Sequence, residues 1–331
     1  MTNEFILEAK AVKKYFPIRK GFFMREVGQV KAIEEVSLSI RKGETLGLVG
    51  ESGCGKSTLG RTLIRLYEPT SGSIQFDGDD FLTLKGEALR KKRRDIQMIF
   101  QDPYASLDTR MTVGQIIEQP FKIHGLLQKT ERELRVKQLL EMVGLKASHV
   151  NRYPHEFSGG QRQRISIARA ISLNPKLIIC DEPVSALDVS IQAQILNLLK
   201  DLQERLQLTY LFISHDLSVI EHVCDRIAVM YLGRIVELTT REELYKNPRH
   251  PYTRALMSSI PSIGTGKKKM TKILSGEIPS PINPPSGCTF HPRCSFKIKE
   301  CSEQVPKLSQ VSNTHFKACH VNLDTNLKEI L

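Results

Sequence analysis

The sequence of 331 residues predicts an α/β protein in which helices cover a parallel β-sheet. Two observations indicate this class. Short apolar runs typical of buried strands alternate with helical patterns, and a glycine-rich phosphate-binding pattern directly follows one of those runs. A content of 40% hydrophobic and 25% charged residues is that of a globular protein. No apolar run reaches the roughly 18–20 residues of a membrane helix, and the start lacks a signal-peptide pattern, so we expect a soluble, cytosolic chain.

Apolar runs define the predicted strands. In chain order they are Thr45–Val49, Ile96–Phe100, Leu177–Cys180, Thr209–Ile213, Ile227–Leu232 and Arg234–Leu238. The last two runs are separated by Gly233 and are typical of a hairpin. The earlier runs are separated by stretches with helical periodicity, which favours parallel pairing between them.

The pattern between about residues 104 and 172 is mainly helical, and we predict a helical subdomain there. An apolar stripe within it ends at Gly144, which we interpret as a helix C-cap. The stripe consists of Leu134, Leu139, Leu140 and Val143.

The net charge of +12 is unevenly distributed. Residues 1–245 carry +4, whereas residues 246–331 carry +8, are rich in proline and hold four of the seven cysteines, so we predict a domain boundary near residue 245. We interpret the basic run 90–94 as a solvated helix face and the run 267–269 as a solvated linker. Composition alone leaves nucleic acid, anionic lipid and phosphate ligands open as partners.

A phosphate-binding loop is the most specific motif. The stretch Gly50–Ser57 reads Gly-Glu-Ser-Gly-Cys-Gly-Lys-Ser and follows a predicted strand, as this motif requires. Its glycines let backbone N–H groups converge on phosphates, Lys56 reaches the β and γ phosphates, and the Ser57 hydroxyl can bind Mg²⁺. We interpret Cys54 as a small loop residue rather than a redox switch. The predicted phosphate contacts are Gly50, Ser52, Gly53, Cys54, Gly55, Lys56, Ser57 and Thr58.

Two further stretches suggest chemistry on the same nucleotide. A buried strand ends in Asp181 and Glu182; Asp181 suits Mg²⁺ binding, and Glu182 suits a base that polarises the attacking water. In Phe157–Arg164, Ser158 is a good N-cap, and the glycines after it leave amides open at a helix start. One nucleotide cannot easily be held by two such helix starts of a single domain, which implies a second subunit.

Together these motifs resemble those of ATP-binding cassette (ABC) ATPases. Gly50–Ser57 resembles their Walker A motif, Leu177–Asp181 their Walker B motif and Ser158–Gln161 their signature, with Phe157 where leucine is commoner. Gln101 resembles the Q-loop glutamine and Ser185–Asp188 the D-loop. His215 resembles the switch histidine, and Tyr15 stands where an aromatic residue stacks on adenine, with Phe16 as the alternative. The resemblance covers about residues 4–245 and implies a P-loop NTPase core with a RecA-like sheet, an antiparallel β subdomain and a helical subdomain.

The resemblance also implies a mechanism and a residue set. Two cassettes close head to tail on two ATP molecules, Glu182 activates water, and Gln101 and His215 sense the γ-phosphate. Mg²⁺ is held through Ser57, Gln101 and Asp181. The residues expected to reach the nucleotide of the partner subunit are Ser158, Gly159, Gly160, Gln161 and Asp188.

The C-terminal extension, residues 246–331, narrows the family. Asn247–Leu256 and Pro279–Cys294 resemble the tail of oligopeptide/dipeptide permease ATPases. Phe157–Ala170 and Asp181–Asp188 look like their F type. The implied partners are a homologous D-type ATPase, two integral membrane permease subunits and an extracytoplasmic peptide-binding protein, without nucleic acid. We therefore expect a peripheral protein on the cytoplasmic face of the membrane, with nickel or another small solute as the alternative cargo.

Four cysteines of the extension form a possible ligand set. They are Cys288, Cys294, Cys301 and Cys319. Four thiolates suffice for a [4Fe–4S] cluster or for Zn²⁺, and disulfides are not expected in a cytosolic chain. The lack of a C-x₂-C pair weakens zinc, and the family has members with a cluster on this tail, which favours iron–sulfur. Unliganded thiols and a mixed site with His291, His315 or His320 remain alternatives.

Two rival functions start from the same residues. The charge of +12 is compatible with a cassette protein acting on ribosomes or DNA, but a single cassette without a long coiled-coil insertion argues against it. An iron–sulfur redox protein with a vestigial cassette is the other rival, and the complete set of ATP motifs argues against that.

Overall fold

The computed structural model describes residues 4–258 and 276–323, so the basic run 267–269 lies outside the described residues. The strands are β1 (Phe5–Lys20), β2 (Arg25–Arg41), β3 (Thr45–Val49), β4 (Ser71–Phe76), β5 (Asp79–Asp80), β6 (Ile96–Ile99), β7 (Leu177–Asp181), β8 (Thr209–Ser214), β9 (Arg226–Tyr231), β10 (Arg234–Thr240), β11 (Ser309–Ser312) and β12 (His315–Lys317). The helices are α1 (Lys56–Leu63), α2 (Gly86–Lys92), α3 (Pro103–Ser106), α4 (Val113–His124), α5 (Lys129–Met142), α6 (Gly159–Ile171), α7 (Val189–Leu206), α8 (Leu217–Val223), α9 (Arg241–Lys246), α10 (Pro251–Ser258) and α11 (Glu300–Glu303).

The chain divides into two compact units that interleave along the sequence. The first unit holds the residues up to 8 together with 39–45 and 75–214. The second holds 9–38, 46–74 and the residues from 215 onward. The predicted boundary near residue 245 remains a prediction.

The first unit contains three parallel strands side by side, in the order β6, β7, β8. Leu177 of β7 lies opposite Ile96 on one side and Thr209 on the other. Every residue of β7 is buried, as expected for a strand flanked on both sides and covered on its faces. The sequence therefore predicted both the α/β class and these strands within one or two residues.

The predicted helical region is helical, and its core stripe corrects one sequence assignment. Leu139, Leu140 and Val143 are buried, but Leu134 is 59% exposed, so its placement in the stripe was wrong. The helix period explains the error, because Val136, and not residue 134, continues the i, i+3, i+4, i+7 series towards the core. Gly144 follows α5 with a φ of 75°, and it ends the helix in the left-handed conformation that glycine favours.

In the second unit, strands from the C-terminal extension complete a sheet. β3 pairs in parallel with β9, β9 pairs antiparallel with β10 as the predicted hairpin, and β12 pairs antiparallel with β10. β11 then pairs with β12. Elsewhere in this unit β2, β1 and β4 lie side by side in that order. Backbone hydrogen bonds thus tie the extension to β10.

A buried carboxylate joins the extension to β10 a second time. Glu237 is fully buried and accepts hydrogen bonds from His315 Nε2 (2.6 Å), the Arg249 N–H (2.6 Å) and the His250 N–H (3.0 Å). Burial works against the charged carboxylate, but these donors outweigh it and hold the pKa of Glu237 below its ordinary value. Such a site is costly unless all its partners are present, so it specifies how residues 249, 250 and 315 are placed.

The exposure of the basic run agrees with one further expectation. Helix α2 carries residues 90–92 of the basic run and buries none of its residues, as a solvated helix face should. Within residues 4–258 and 276–323, no helix combines the length and the apolar character that crossing a membrane requires.

Candidate functional site

The phosphate-binding loop joins β3 to α1 in the second unit, and its glycines are required by its shape. Gly55, the N-cap of α1, has a φ of 106°, and a Cβ there would lie 2.4 Å from the Ala32 carbonyl oxygen. A Cβ on Gly50 would lie 2.2 Å from the Met230 carbonyl oxygen. Side chains are therefore excluded at both ends of the loop, which leaves its backbone N–H groups open to an anion.

Lys56 begins α1 and folds back over this loop. Its side chain is buried, and Nζ donates to the carbonyl oxygens of Gly50 (2.7 Å) and Glu51 (3.0 Å). The ammonium carries three N–H donors, so a phosphate oxygen can accept the remaining one. Ser57 and Thr58 follow in the first turn, which contains no acidic side chain to repel an anion.

The remaining loop residues differ in solvent exposure. Ser52 and Gly53 are exposed at the crest of the loop. Cys54 is buried, and this burial raises the pKa of its thiol, so it is a neutral packing group. The structure thus agrees with the interpretation of Cys54 as a small loop residue.

Tyr15 and His215 are the other predicted ATP residues of the second unit. The Tyr15 hydroxyl donates to Glu34 Oε2 (2.6 Å), and burial, followed by this hydrogen bond, raises the pKa of Tyr15 to about 12. Phe16, the alternative adenine contact, packs edge-on against Tyr67. His215 is exposed and precedes Asp216, the N-cap of α8. Stacking of Tyr15 on adenine stays a prediction.

In the first unit the structure brings Gln101 and Glu182 together. Gln101 Nε2 donates to Glu182 Oε2 (2.9 Å), although the two residues are far apart in sequence. Glu182 has a φ of 48°, uncommon for a residue with a side chain, and its N–H donates to the Ile213 carbonyl (3.0 Å). The adjacent Asp181 is fully buried at the end of β7. Strain of this kind collects at functional sites, and here it turns Glu182 away from the direction of the strand.

The predicted signature begins α6 as expected. Ser158 is the N-cap and forms a reciprocal capping box with Gln161. A Cβ on Gly160 would lie 2.5 Å from Ile191 Cγ2, so glycine is needed where α6 approaches α7. Ser158 and Gly159 are exposed, as is Asp188, the N-cap of α7. These residues therefore face solvent, where a second subunit could reach them.

The four extension cysteines are neighbours, but they do not form a ready-made metal centre. Burial raises the pKa of Cys288 to about 11, and the charges of the other three thiols act in the same direction. The pKa values of Cys294 and Cys319 are likewise raised, by burial first and then by neighbouring thiols. Across the described part of the chain, no three His, Cys, Asp or Glu side chains are placed to hold a metal ion.

Sequence reasoning missed two residues that contact the phosphate loop. Arg293 binds the Glu51 side chain across 242 positions of sequence, and the Tyr252 hydroxyl accepts from the Glu51 N–H. Both lie in stretches whose resemblance to a peptide-permease tail was noted, which was the only available signal. No periodicity connects residues so far apart.

Two family models match this chain. The model described as ABC transporter matches residues 33–185, and the one described as oligopeptide/dipeptide transporter, C-terminal region, matches residues 236–301.

Whole-length relatives agree with both matches. The chain is 59% identical over 324 residues to the oligopeptide transport ATP-binding protein AppF of Bacillus subtilis (strain 168), covering 96% of this chain and 98% of that one. It is 50% identical to the dipeptide transport ATP-binding protein DppF of Haemophilus influenzae, with 96% and 99% covered.

Solved structures of similar proteins are cassettes. CbiO1 of Clostridium perfringens, part of the ABC transporter complex CbiONQ, has a TM-score of 0.63 at 26% identity, covering 74% of this chain and 92% of that one. The ATP-binding cassette MJ0796 bound to ADP and Pi has a TM-score of 0.63 at 32% identity, with 71% and 98% covered.

Proposed function

Because the chain belongs to the ABC transporter family, in the branch with the oligopeptide/dipeptide transporter C-terminal region, we propose that it hydrolyses ATP to power peptide import. It acts as a peripheral subunit on the cytoplasmic face of the membrane. Two membrane permease subunits, a D-type ATPase and an extracytoplasmic peptide-binding protein complete the importer.

The observation that carries the ATPase function is the loop Gly50–Ser57. Its glycines exclude side chains, and the buried Lys56 ammonium rests on main-chain oxygens. A triphosphate offers this ammonium a strong, charged acceptor for the N–H that the two carbonyl oxygens leave available. Ser57, Gln101 and Asp181 would hold Mg²⁺, which neutralises charge on the phosphates when bound.

Hydrolysis is assigned to Glu182. Its carboxylate accepts a proton from the attacking water, and the 2.9 Å hydrogen bond from Gln101 orients it. His215 contacts the γ-phosphate. Ser158, Gly159, Gly160, Gln161 and Asp188 contact the nucleotide held by the D-type partner. The exposure of Ser158, Gly159 and Asp188 permits this.

Binding of ATP therefore favours the closed pair of cassettes, and this preference is what drives the permease subunits. A ligand that bound the open and closed pairs of cassettes with equal affinity would not shift the equilibrium between them.

The replacement Glu182→Gln tests the assignment. It keeps the shape of the side chain but removes the base, so ATP binding should persist while hydrolysis falls by about a thousandfold. Binding is measured by calorimetry with MgATP and turnover by phosphate release. Hydrolysis at the parent rate would remove Glu182 from this role, and absence of ATP binding by the parent would overturn the proposed function.

The cargo is tested separately by uptake. A strain lacking this chain should lose uptake of labelled di- to pentapeptides and regain it with the gene, whereas Glu182→Gln should not restore it. Loss of labelled nickel uptake with normal peptide uptake would instead favour the nickel alternative.

For the extension, we propose a [4Fe–4S] cluster held by Cys288, Cys294, Cys301 and Cys319. Cys288 and Cys294 support this, because burial and then the neighbouring thiols raise the pKa values of both, and a bound cation would offset that cost of ionisation. A single Zn²⁺ draws its thiolates to about 3.8 Å from one another, whereas a cluster bonds each thiolate to a different iron and leaves them further apart. The described residues offer no set close enough for a single ion.

Anaerobic purification tests this proposal. The protein should be brown, absorb at about 400 nm and contain iron and sulfide. Cys288→Ser should abolish the colour, the absorbance and the bound iron and sulfide. Colourless protein with stoichiometric zinc, or with no metal, would overturn it.

A further inference from the structure

Glu51, the second residue of the phosphate loop, is held by residues of the C-terminal extension. Its side chain contacts Arg293, its main-chain N–H contacts Tyr252, and its main-chain oxygen contacts Lys56. All four residues belong to the second unit. One residue of the loop is thus fixed from three directions, two of them by the extension.

Arg293 forms a bidentate ion pair with the Glu51 carboxylate. Nη1 lies 2.7 Å from Glu51 Oε2, and Nη2 lies 3.0 Å from Oε1. The Arg293 side chain is only 5% exposed, and the ion pair raises the pKa of the guanidinium above its ordinary value. A two-point contact with a partly buried partner fixes orientation as well as distance, which a contact with a lysine would not do.

Tyr252 fixes the backbone of the same residue. Its hydroxyl oxygen accepts from the Glu51 N–H at 2.9 Å, and the side chain is fully buried. The ring packs on Tyr231 (4.7 Å between centroids) and Phe290 (5.4 Å), so the hydroxyl cannot swing away.

The Glu51 carbonyl then connects this arrangement to the phosphate-binding lysine. Lys56 Nζ donates to that oxygen at 3.0 Å. A shift of the Gly50–Glu51 peptide therefore moves both the lysine and the open amides around it.

We infer that Arg293 and Tyr252 are positioning residues for the phosphate loop, and that the extension sets the affinity for ATP through Glu51. The inference rests on the ATP binding proposed above and is independent of the cargo. It assigns to the extension a part in the nucleotide site itself.

Calorimetry with MgATP tests the inference on the full chain in the Glu182→Gln background. Arg293→Ala should raise Kd about tenfold, because the loop loses its charged anchor, and Arg293→Lys should recover part of the loss. In the hydrolysing protein Arg293→Ala should raise KM to a similar extent and lower kcat less than twofold, as expected for lost ground-state binding. Tyr252→Phe should raise Kd in the same direction.

A matched control is another arginine of the extension. Arg254 donates to the carbonyl oxygens of Pro248 (2.8 Å) and Leu323 (2.8 Å), both within the extension and away from Glu51. Arg254→Ala should leave Kd within twofold of the parent. An equal rise in both variants would mean that the extension acts only by being folded and would overturn the inference.

A double-mutant cycle gives the decisive readout. If Arg293 acts through Glu51, adding Arg293→Ala to Glu51→Gln should change Kd little further. Additive effects, or an unchanged Kd in Arg293→Ala while the parent binds ATP, would refute the inference and leave the proposed function standing. Failure of the parent to bind ATP would refute the function instead.

Discussion

His250 should make the stability of the protein depend on pH between about 4 and 7. Its side chain is 1% exposed, and Nδ1 accepts a hydrogen bond from the Tyr252 N–H at 3.1 Å. Protonation would place a charge in this buried position and remove that acceptor. Burial lowers the pKa of His250 from 6.5 to about 4, with Lys317 acting in the same direction and Glu237 opposing.

The sign and size of the effect follow from this difference. Between pH 6.5 and about 4 the unfolded chain binds a proton at this position and the folded chain does not, so acid favours unfolding. One pKa unit corresponds to about 1.4 kcal/mol. Because the pKa of His250 is lowered from 6.5 to about 4 by folding, acidification through this range reduces the unfolding free energy by on the order of 3 kcal/mol. The contribution is fully present above pH 7 and is lost as the pH falls through this window.

The assay is urea unfolding followed by circular dichroism at several pH values in this window. His250→Gln keeps an acceptor for the Tyr252 N–H but does not titrate. On acidification, the unfolding free energy of this variant should therefore fall by on the order of 3 kcal/mol less than that of the parent. Glu237 titrates in both proteins, and its electrostatic coupling to His250 is part of the measured difference. His222→Gln, at an exposed position of α8, is the control and should follow the parent. Parallel pH profiles for the parent and His250→Gln would refute the reasoning.

Three other replacements test the packing of the site. Gly55→Ala forces a Cβ to within 2.4 Å of the Ala32 oxygen at a positive φ, so we expect the unfolding free energy to fall by about 1–3 kcal/mol in urea titrations and ATP binding to be lost; normal binding would contradict this. His315→Ala removes a hydrogen-bond donor from the buried Glu237 carboxylate and should lower the unfolding free energy by about 1–3 kcal/mol in the same titration. A decrease below about 0.5 kcal/mol, the range of ordinary surface substitutions, would show that the contact is dispensable. Gln101→Ala frees Glu182 from its 2.9 Å hydrogen bond and should lower kcat for phosphate release about tenfold; an unchanged kcat would mean that Glu182 is oriented by other contacts.

The parts of the fold that were predictable from sequence are those with local causes. The apolar run Thr45–Val49 coincides with β3 because a buried parallel strand needs an unbroken apolar sequence. Ser158 was recognisable as an N-cap because capping depends on residues three positions apart. The error at Leu134 has a local cause as well: an apolar residue was accepted into a stripe although the helix period turns it outward.

The rest depends on contacts between distant residues. Glu51 was interpreted only as a loop position, and its pairing with Arg293 arises from the folding of the extension within the second unit. The contact of Gln101 with Glu182 depends on the parallel pairing of β6 and β7, which the sequence suggested without fixing the register. The distances between the thiols of the four extension cysteines are equally non-local, since spacing along the chain does not determine them.

The pairing of β12 with β10 has a consequence for how the protein is made. During translation β10 leaves the ribosome well before His315–Lys317 exists, so for that interval its free edge lacks the strand that covers it in the finished protein. Glu237 of that strand likewise lacks its hydrogen bond from the His315 imidazole until His315 has been synthesised. A message cut short before codon 315 therefore yields a polypeptide with an open sheet edge and a half-satisfied buried carboxylate. We expect cellular quality control to recognise those features and to degrade the truncated product.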